Sequence, residues 1–237
     1  MYVLKTANAR SVFVKNSFLL ILSLFSLCFC IAFVSCAFES ESVDDIEAYK
    51  AEQASILWRK VNSTSECDLV FLGNSLTYFG NFESEFSEYN CRNLGIAGDT
   101  IDDILNRTDM VYQLSPTKLF LLAGTNSLRA TGENVSLCIT RYEVLLKELK
   151  TNLPNTEIYL ENVLPTSIAH GEYVSNAAID EFNVKVQNLA RKYGLVYIDL
   201  NSLYRDENGL KLSCTSDGLH ITASAYAVWY EKIREYL

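Results

Sequence analysis

Only two histidines occur in this 237-residue chain, His170 and His220. His220 stands where an imidazole could serve as a base, three residues after Asp217 in the run Asp217-Gly218-Leu219-His220. A tight turn over that spacing brings the carboxylate to the ring, where it sets the tautomer and favours the imidazolium formed on proton uptake. A serine hydroxyl becomes a good nucleophile only when such a base takes its proton. Ser75 is placed for this, because it follows the apolar run Asp68–Gly73 and a second small residue, Asn74. Acyl transfer also needs donors for the developing oxyanion. The backbone N–H groups of Ser75 and Gly95 and the side-chain amide of Asn126 are the candidates, and glycine at 95 would let backbone approach a substrate closely. Each residue alone fits an ordinary turn or loop. Their order along an alternating pattern carries the reading.

That pattern consists of short apolar runs separated by helical periodicities. The runs Asp68–Gly73, Cys91–Ile96, Lys118–Ala123, Glu157–Val163 and Leu195–Leu200 read as buried strands of a parallel sheet. Between them, apolar residues share helical faces at Ile101, Ile104/Leu105, Thr108 and Val111/Tyr112. The same holds at Cys138, Tyr142, Leu145 and Leu149, and at Ile179, Phe182, Val186, Leu189 and Tyr193. A polar-rich helix is expected over Val43–Val61. A last helix, capped by Thr222, would turn Ala225, Trp229 and Ile233 inward. The fold class predicted is α/β, a three-layer α/β/α sandwich around a five-stranded parallel sheet with right-handed crossovers. Ligands of such folds sit beyond the carboxyl ends of the strands, where the strand order switches. Ser75, Gly95 and Asn126 follow or close the first three strands.

In this order the blocks resemble the SGNH, or GDSL-type, hydrolases, from about Asp68 to Leu237. Phe71-Leu-Gly-Asn-Ser-Leu-Thr77 is similar to that family's first block, which implies that Ser75 is the nucleophile. Arg92-Asn-Leu-Gly-Ile-Ala-Gly-Asp-Thr100 is similar to the second and implies an oxyanion-hole role for Gly95. Gly124-Thr125-Asn126 is similar to the third and implies the same for Asn126, while Asp217-Gly-Leu-His220 supplies the acid and base. Val163-Leu-Pro-Thr166 looks like the segment after strand four in carbohydrate-esterase and acetylhydrolase members. Asn74 and Ser127 stand where the family more often has Asp. The resemblance implies a flavodoxin-like SGNH fold and a serine esterase that needs no cofactor. It also implies a small ester substrate, an acetylated carbohydrate for preference. A lysophospholipase or thioesterase of the same fold is the enzymatic alternative, and a glycan-binding surface lipoprotein without turnover is the non-enzymatic one.

Other residues invite a role. Asn74 and Tyr78 flank the nucleophile, Phe79 could join Tyr78 in walling an acyl pocket, and His170 falls in a loop after strand four. Arg129 could meet an anionic group. Asp99, Asp102 and Asp103 open a helix and read as dipole-favoured capping residues rather than metal ligands. Cys67 and Cys91 precede strands one and two, so a disulfide between them is expected if those strands are neighbours. None of the four cysteines after residue 36 forms a C-x-x-C pair, and no metal site is expected.

The first 37 residues read as an address. Lys5, Arg10 and Lys15 precede the uncharged run Phe18–Val34, the pattern of an export signal. Phe33-Val34-Ser35-Cys36 resembles the bacterial lipobox, which would make Cys36 a lipid anchor in the cell envelope. Cleavage as an ordinary signal and retention as a signal anchor are the alternatives. Residues 38–61 would form a tether and the first helix, and residues 62–237 the hydrolase domain. Net charge is −9 overall and −12 from Glu39 onward, which opposes binding to nucleic acid. Contact with a membrane is therefore expected only through the N-terminal lipid or anchor.

Overall fold

The structure, a computed structural model, describes residues 43–64 and 66–237. The export signal, the lipobox and Cys36 lie outside the described residues. The chain divides into two units, residues 1–48 and 49–237, and the second carries the fold. Helix α1 spans Val43–Asn62, so the expected tether gives way to helix by Val43. Strand β1 is Leu69–Gly73, followed by the short helices α2, Ser75–Phe79, and α3, Phe82–Glu85. Strand β2, Cys91–Gly95, leads to α4, Ile101–Leu105, and α5, Asp109–Leu114. Strand β3, Lys118–Leu122, is followed by α6, Thr125–Ala130, and α7, Val135–Asn152. Strand β4, Glu157–Glu161, precedes α8, Asn176–Tyr193, and β5 is Val196–Ile198. A four-residue helix α9, Asn201–Tyr204, a hairpin of β6, Arg205–Asp206, and β7, Gly209–Leu210, and helix α10, Ala223–Arg234, complete the unit. No helix among the described residues is long and apolar enough to cross a membrane.

The sheet has the order β2-β1-β3-β4-β5 with every neighbouring pair parallel. β1 is therefore flanked by β2 and β3, and the switch in order lies at its carboxyl end. In-register pairing places Gly73 beside both Gly95 and Leu122, so the loops after three strands emerge together. Alternation along the strands divides the core into two layers. Val70, Leu72, Leu119, Leu121 and Leu160 join residues of α1, α4, α5, α7 and α8 on one face. Leu69, Phe71, Phe120 and Tyr159 join residues of α2, α3 and α10 on the other. On that second face the rings of Phe71, Phe120 and Tyr159 stack from strand to strand at 4.9 and 4.7 Å. The expected three-layer sandwich is the observed one.

Two expectations fail locally. The periodic stretch from Ile101 to Tyr112 forms two helices, because Asn106 closes α4 and Arg107 turns inward. The disulfide between Cys67 and Cys91 is not formed. β1 and β2 are indeed neighbours, but Cys91 pairs with Leu69, so Cys67 lies two residues further along. Its Sγ points at the carbonyls of Leu69 and Asn90, 3.4 and 3.3 Å away, and burial pushes both thiols up, that of Cys67 to about 11.

Candidate active site

Ser75 is the first residue of α2, and Asn74 caps that helix by accepting the Leu76 N–H at 3.1 Å. Asn74 is 1% exposed, so the substrate contact expected of it is corrected to a buried cap. The Ser75 hydroxyl donates to His220 Nε2 across 2.9 Å, and His220 Nδ1 donates to Asp217 Oδ2 across 2.7 Å. These roles follow from charge: a carboxylate only accepts, so Nδ1 carries the proton and Nε2 is left free to take one from serine. The turn that carries the base is built locally. Asp217 Oδ1 accepts the N–H groups of Leu219 and His220 at 2.9 and 2.8 Å, and the Gly218 N–H donates to Thr215 Oγ1 at 2.9 Å. Partial burial opposes the Asp217 charge. The imidazole and the two backbone donors outweigh it and hold the carboxyl down at about 2. The diad is therefore charged on its acid side throughout the neutral range.

Gly218 adopts φ +83°, and a Cβ there would lie 2.5 Å from Cβ of His170. His170 thus packs against the turn of the base, with its Nδ1 3.1 Å from Ser167 Oγ, at the exposed rim. The Ser167 N–H donates to the Gly218 carbonyl at 2.8 Å and ties the loop after β4 to this turn. Phe79 stands edge-on to the His220 ring at 5.3 Å and is 55% exposed. Beside it lies Tyr78, whose hydroxyl meets that of Tyr49. Burial and this hydrogen bond push Tyr49 up to about 12. Tyr78 also lines a cavity of about 290 Å³ with Gln53, Leu57, Lys60, Glu83 and Asn93, to which none of the triad contributes.

The donors for an oxyanion are partly as expected. The Ser75 N–H belongs to the first turn of a helix and has no acceptor among the described residues. Asn126 donates one of its two amide protons to the carbonyl of Asp99 at 2.9 Å, which leaves the second for a ligand. Gly95 is a correction. Its N–H is taken by Asn93 Oδ1 at 2.9 Å, and a Cβ on it would lie 2.2 Å from the Tyr78 nitrogen. Glycine is needed there so that β2 and α2 can touch. The free donor of this loop belongs to Gly98, exposed at φ +85° and without an N–H acceptor among the described residues.

Several remaining residues have structural work. Asp99 does not cap α4. It is buried against Arg107, with Nε to Oδ2 at 2.7 Å, and burial raises its carboxyl to about 6 despite the guanidinium. Thr100 and Asp103 form the capping box of α4, and Asp102 pairs with Arg141. Ser127 accepts the Ile101 N–H at 2.8 Å, so its departure from the usual Asp holds a helix start and does not touch the cleft. Arg129 donates to the Tyr173 carbonyl and lies over the Tyr173 ring, so it is not held out for an anionic ligand. Arg107 escaped notice in the sequence, although its position three residues after Ile104 places a charge on an inward face.

Residues 71–228 match the GDSL-like Lipase/Acylhydrolase family. The chain belongs to that family. Among curated proteins none matches. Several solved structures share the fold of this GDSL-like hydrolase. A protein from Streptococcus pneumonia, described as a candidate platelet activating factor, superposes with a TM-score of 0.74 at 24% identity, covering 86% of this chain and 98% of that one. A GDSL-like lipase from Bacteroides thetaiotaomicron gives 0.66 at 22% identity, with 77% and 96% covered. An acetyl xylan esterase gives 0.62 at 19% identity, with 72% and 99% covered. As a member of this family the chain is an ester hydrolase, and the Ser75-His220-Asp217 arrangement is the catalytic apparatus its own geometry offers.

Proposed function

We propose that this GDSL-like hydrolase removes short acyl groups, acetyl above all, from a carbohydrate or a similar small ester. The observation that carries the reading is the continuous chain of hydrogen bonds from Ser75 Oγ through His220 to Asp217, open to solvent at the sheet's switch point. Ser75 Oγ attacks the ester carbonyl while its proton passes to His220 Nε2. The carbonyl oxygen becomes an oxyanion facing the Ser75 N–H, the spare proton of Asn126 and the Gly98 N–H. Collapse breaks the bond to the alcohol, which leaves with the proton from His220. Water then attacks the acyl-serine by the same route, and carboxylate leaves. Short acyl groups suit a site whose base and acid side chains are 30% and 50% exposed, and the acetyl xylan esterase among the similar structures supports a carbohydrate partner. Export and anchoring through Cys36 are proposed on the sequence of the first 37 residues.

The deciding experiment compares acetylated oligosaccharides, p-nitrophenyl esters of rising chain length and lysophospholipids, with Ser75→Ala as control. Acetyl esters are expected to give the highest kcat/KM, and the control is expected to lose about 10⁴-fold or more. Preference for long acyl chains would favour the lysophospholipase alternative. Full activity in the control would remove Ser75 from the mechanism. Incorporation of labelled palmitate that disappears in Cys36→Ala checks the anchor.

A further inference from the structure

The loop that offers the Gly98 N–H and supports Asn126 is held from beneath by one buried side chain. We propose that Arg107 is a positioning residue for the oxyanion hole, joining the end of the nucleophile's strand to the loop that carries the Gly98 donor and supports Asn126. It lies between α4 and α5, with its side chain only 7% exposed. Its Nε donates to Asp99 Oδ2 at 2.7 Å and its Nη2 to the Gly73 carbonyl at 3.0 Å. Gly73 is two residues before Ser75, and its carbonyl also accepts the Ile96 N–H at 3.1 Å. Asp99 follows Gly98 directly, and its own carbonyl receives Asn126 at 2.9 Å. A single planar fork thus sets the separation between the strand that presents Ser75 and the turn of residues 96–99 on which Asn126 rests.

The arrangement is a costly way to gain stability. Burying a guanidinium with a carboxylate that is 2% exposed sacrifices the hydration of both, and apolar pairs of similar volume often do as well or better. Arg107 Nη1 is buried with no hydrogen-bond partner, so the fork is oriented by Asp99 and Gly73 at the expense of its third nitrogen. What the fork supplies and an apolar pair would lack is direction: two donors at fixed angles to two segments that must converge on one oxygen. Preorganised donors act only when they are aimed at the developing charge, and an error near 1 Å is worth about a hundredfold in rate.

The test uses Arg107→Lys, which keeps the charge and loses the fork, in the full folded protein with p-nitrophenyl acetate. This rests on Ser75 as nucleophile, which the Ser75→Ala control tests separately. The expected result is a kcat about 10- to 100-fold lower per active site with KM within about twofold. The rate of fluorophosphonate labelling is expected to fall alongside kcat, because phosphonylation develops charge on an oxygen in the same place. In a double-mutant cycle with Asn126→Ala, the second substitution is expected to cost much less than it does alone, since both act on one loop. A role confined to stability would lower the melting temperature, leave kcat per folded molecule unchanged and give additive effects. That outcome would overturn the proposal. If Arg107→Lys does not fold, Asp99→Asn keeps the shape of the partner and carries the same expectation and the same refutation.

Discussion

The two halves of the catalytic cleft are built on opposite plans. The half that carries the base is a turn whose bonds to the acid are all local. Asp217 accepts two N–H groups and the imidazole from residues no more than three positions away, and its side chain is half exposed. The half that carries the nucleophile and the oxyanion donors is assembled from distant segments. Arg107 reaches Gly73 across 34 positions and Ser127 reaches Ile101 across 26, both below the surface, and Asn126 reaches Asp99 across 27 at the part-buried edge of the cleft. One half therefore depends on local sequence and the other on the fold. Damage to the first should remove activity and leave stability alone, whereas damage to the second should disturb both.

Asp217→Asn should produce the largest effect and the cleanest break between the two. The amide keeps Oδ1 for the Leu219 and His220 N–H groups but presents a donor to His220 Nδ1, which selects the wrong tautomer. A loss of kcat of about 10³- to 10⁴-fold is expected. The melting temperature should fall by no more than a few degrees, because the bonds of this half-exposed carboxylate are partly screened by water. Steady-state kinetics and calorimetry on one preparation check both. A protein that also melts much earlier would show that the base turn is part of the fold's support.

The same division explains what the sequence disclosed. Asp217-Gly-Leu-His220 was legible because its spacing is its geometry, and Ser75 was legible because a buried strand ends just before it. The parallel sheet was legible from the alternation of apolar runs and helical stretches, whereas the strand order, with β1 between β2 and β3, shows only in the structure. The donor of the second loop was not. Gly95 and Gly98 are both glycines after an apolar run. Only the structure shows that Asn93 takes the N–H of one, while a left-handed φ turns the other to the rim. Arg107 was hidden for the same reason. Its partners, Asp99 and the Gly73 carbonyl, lie on two other segments, and a main-chain carbonyl leaves no trace in composition. The disulfide expectation failed on a register offset of two residues, which apolar runs cannot fix.

Ser127→Ala sharpens the comparison from the other side. Ser127 is 1% exposed and serves as acceptor for a first-turn N–H of α4, just after the oxyanion loop. Removing its hydroxyl leaves that buried donor unpaired, at a cost of about 1–2 kcal/mol in stability. Because α4 starts where the loop ends, kcat should also fall, by about 3- to 10-fold. Denaturant titration and kinetics read the two quantities. A change in neither would mean that the nucleophile's half does not depend on its long-range bonds.

The smallest expected effect on catalysis lies in the core, where a substitution should touch stability alone. Glu161, at the end of β4, is 2% exposed, and its Oε1 accepts the Trp229 indole N–H at 2.5 Å. Burial pushes its carboxyl up to about 8, although the indole bond favours the charged form. In the unfolded chain a glutamate releases its proton near pH 4.3, by the usual value of about that size. Between those two values the folded protein binds one more proton than the unfolded chain, so this group's contribution to stability falls as pH rises. Glu161→Gln retains an oxygen for Trp229 and cannot ionise. Its melting temperature should therefore gain on that of the natural protein between pH 5 and pH 8, by on the order of a few degrees, with kcat unchanged. A difference that stays constant across that range would mean Glu161 is ionised in the folded core. The indole and whatever else surrounds it would then outweigh the cost of burying a charge.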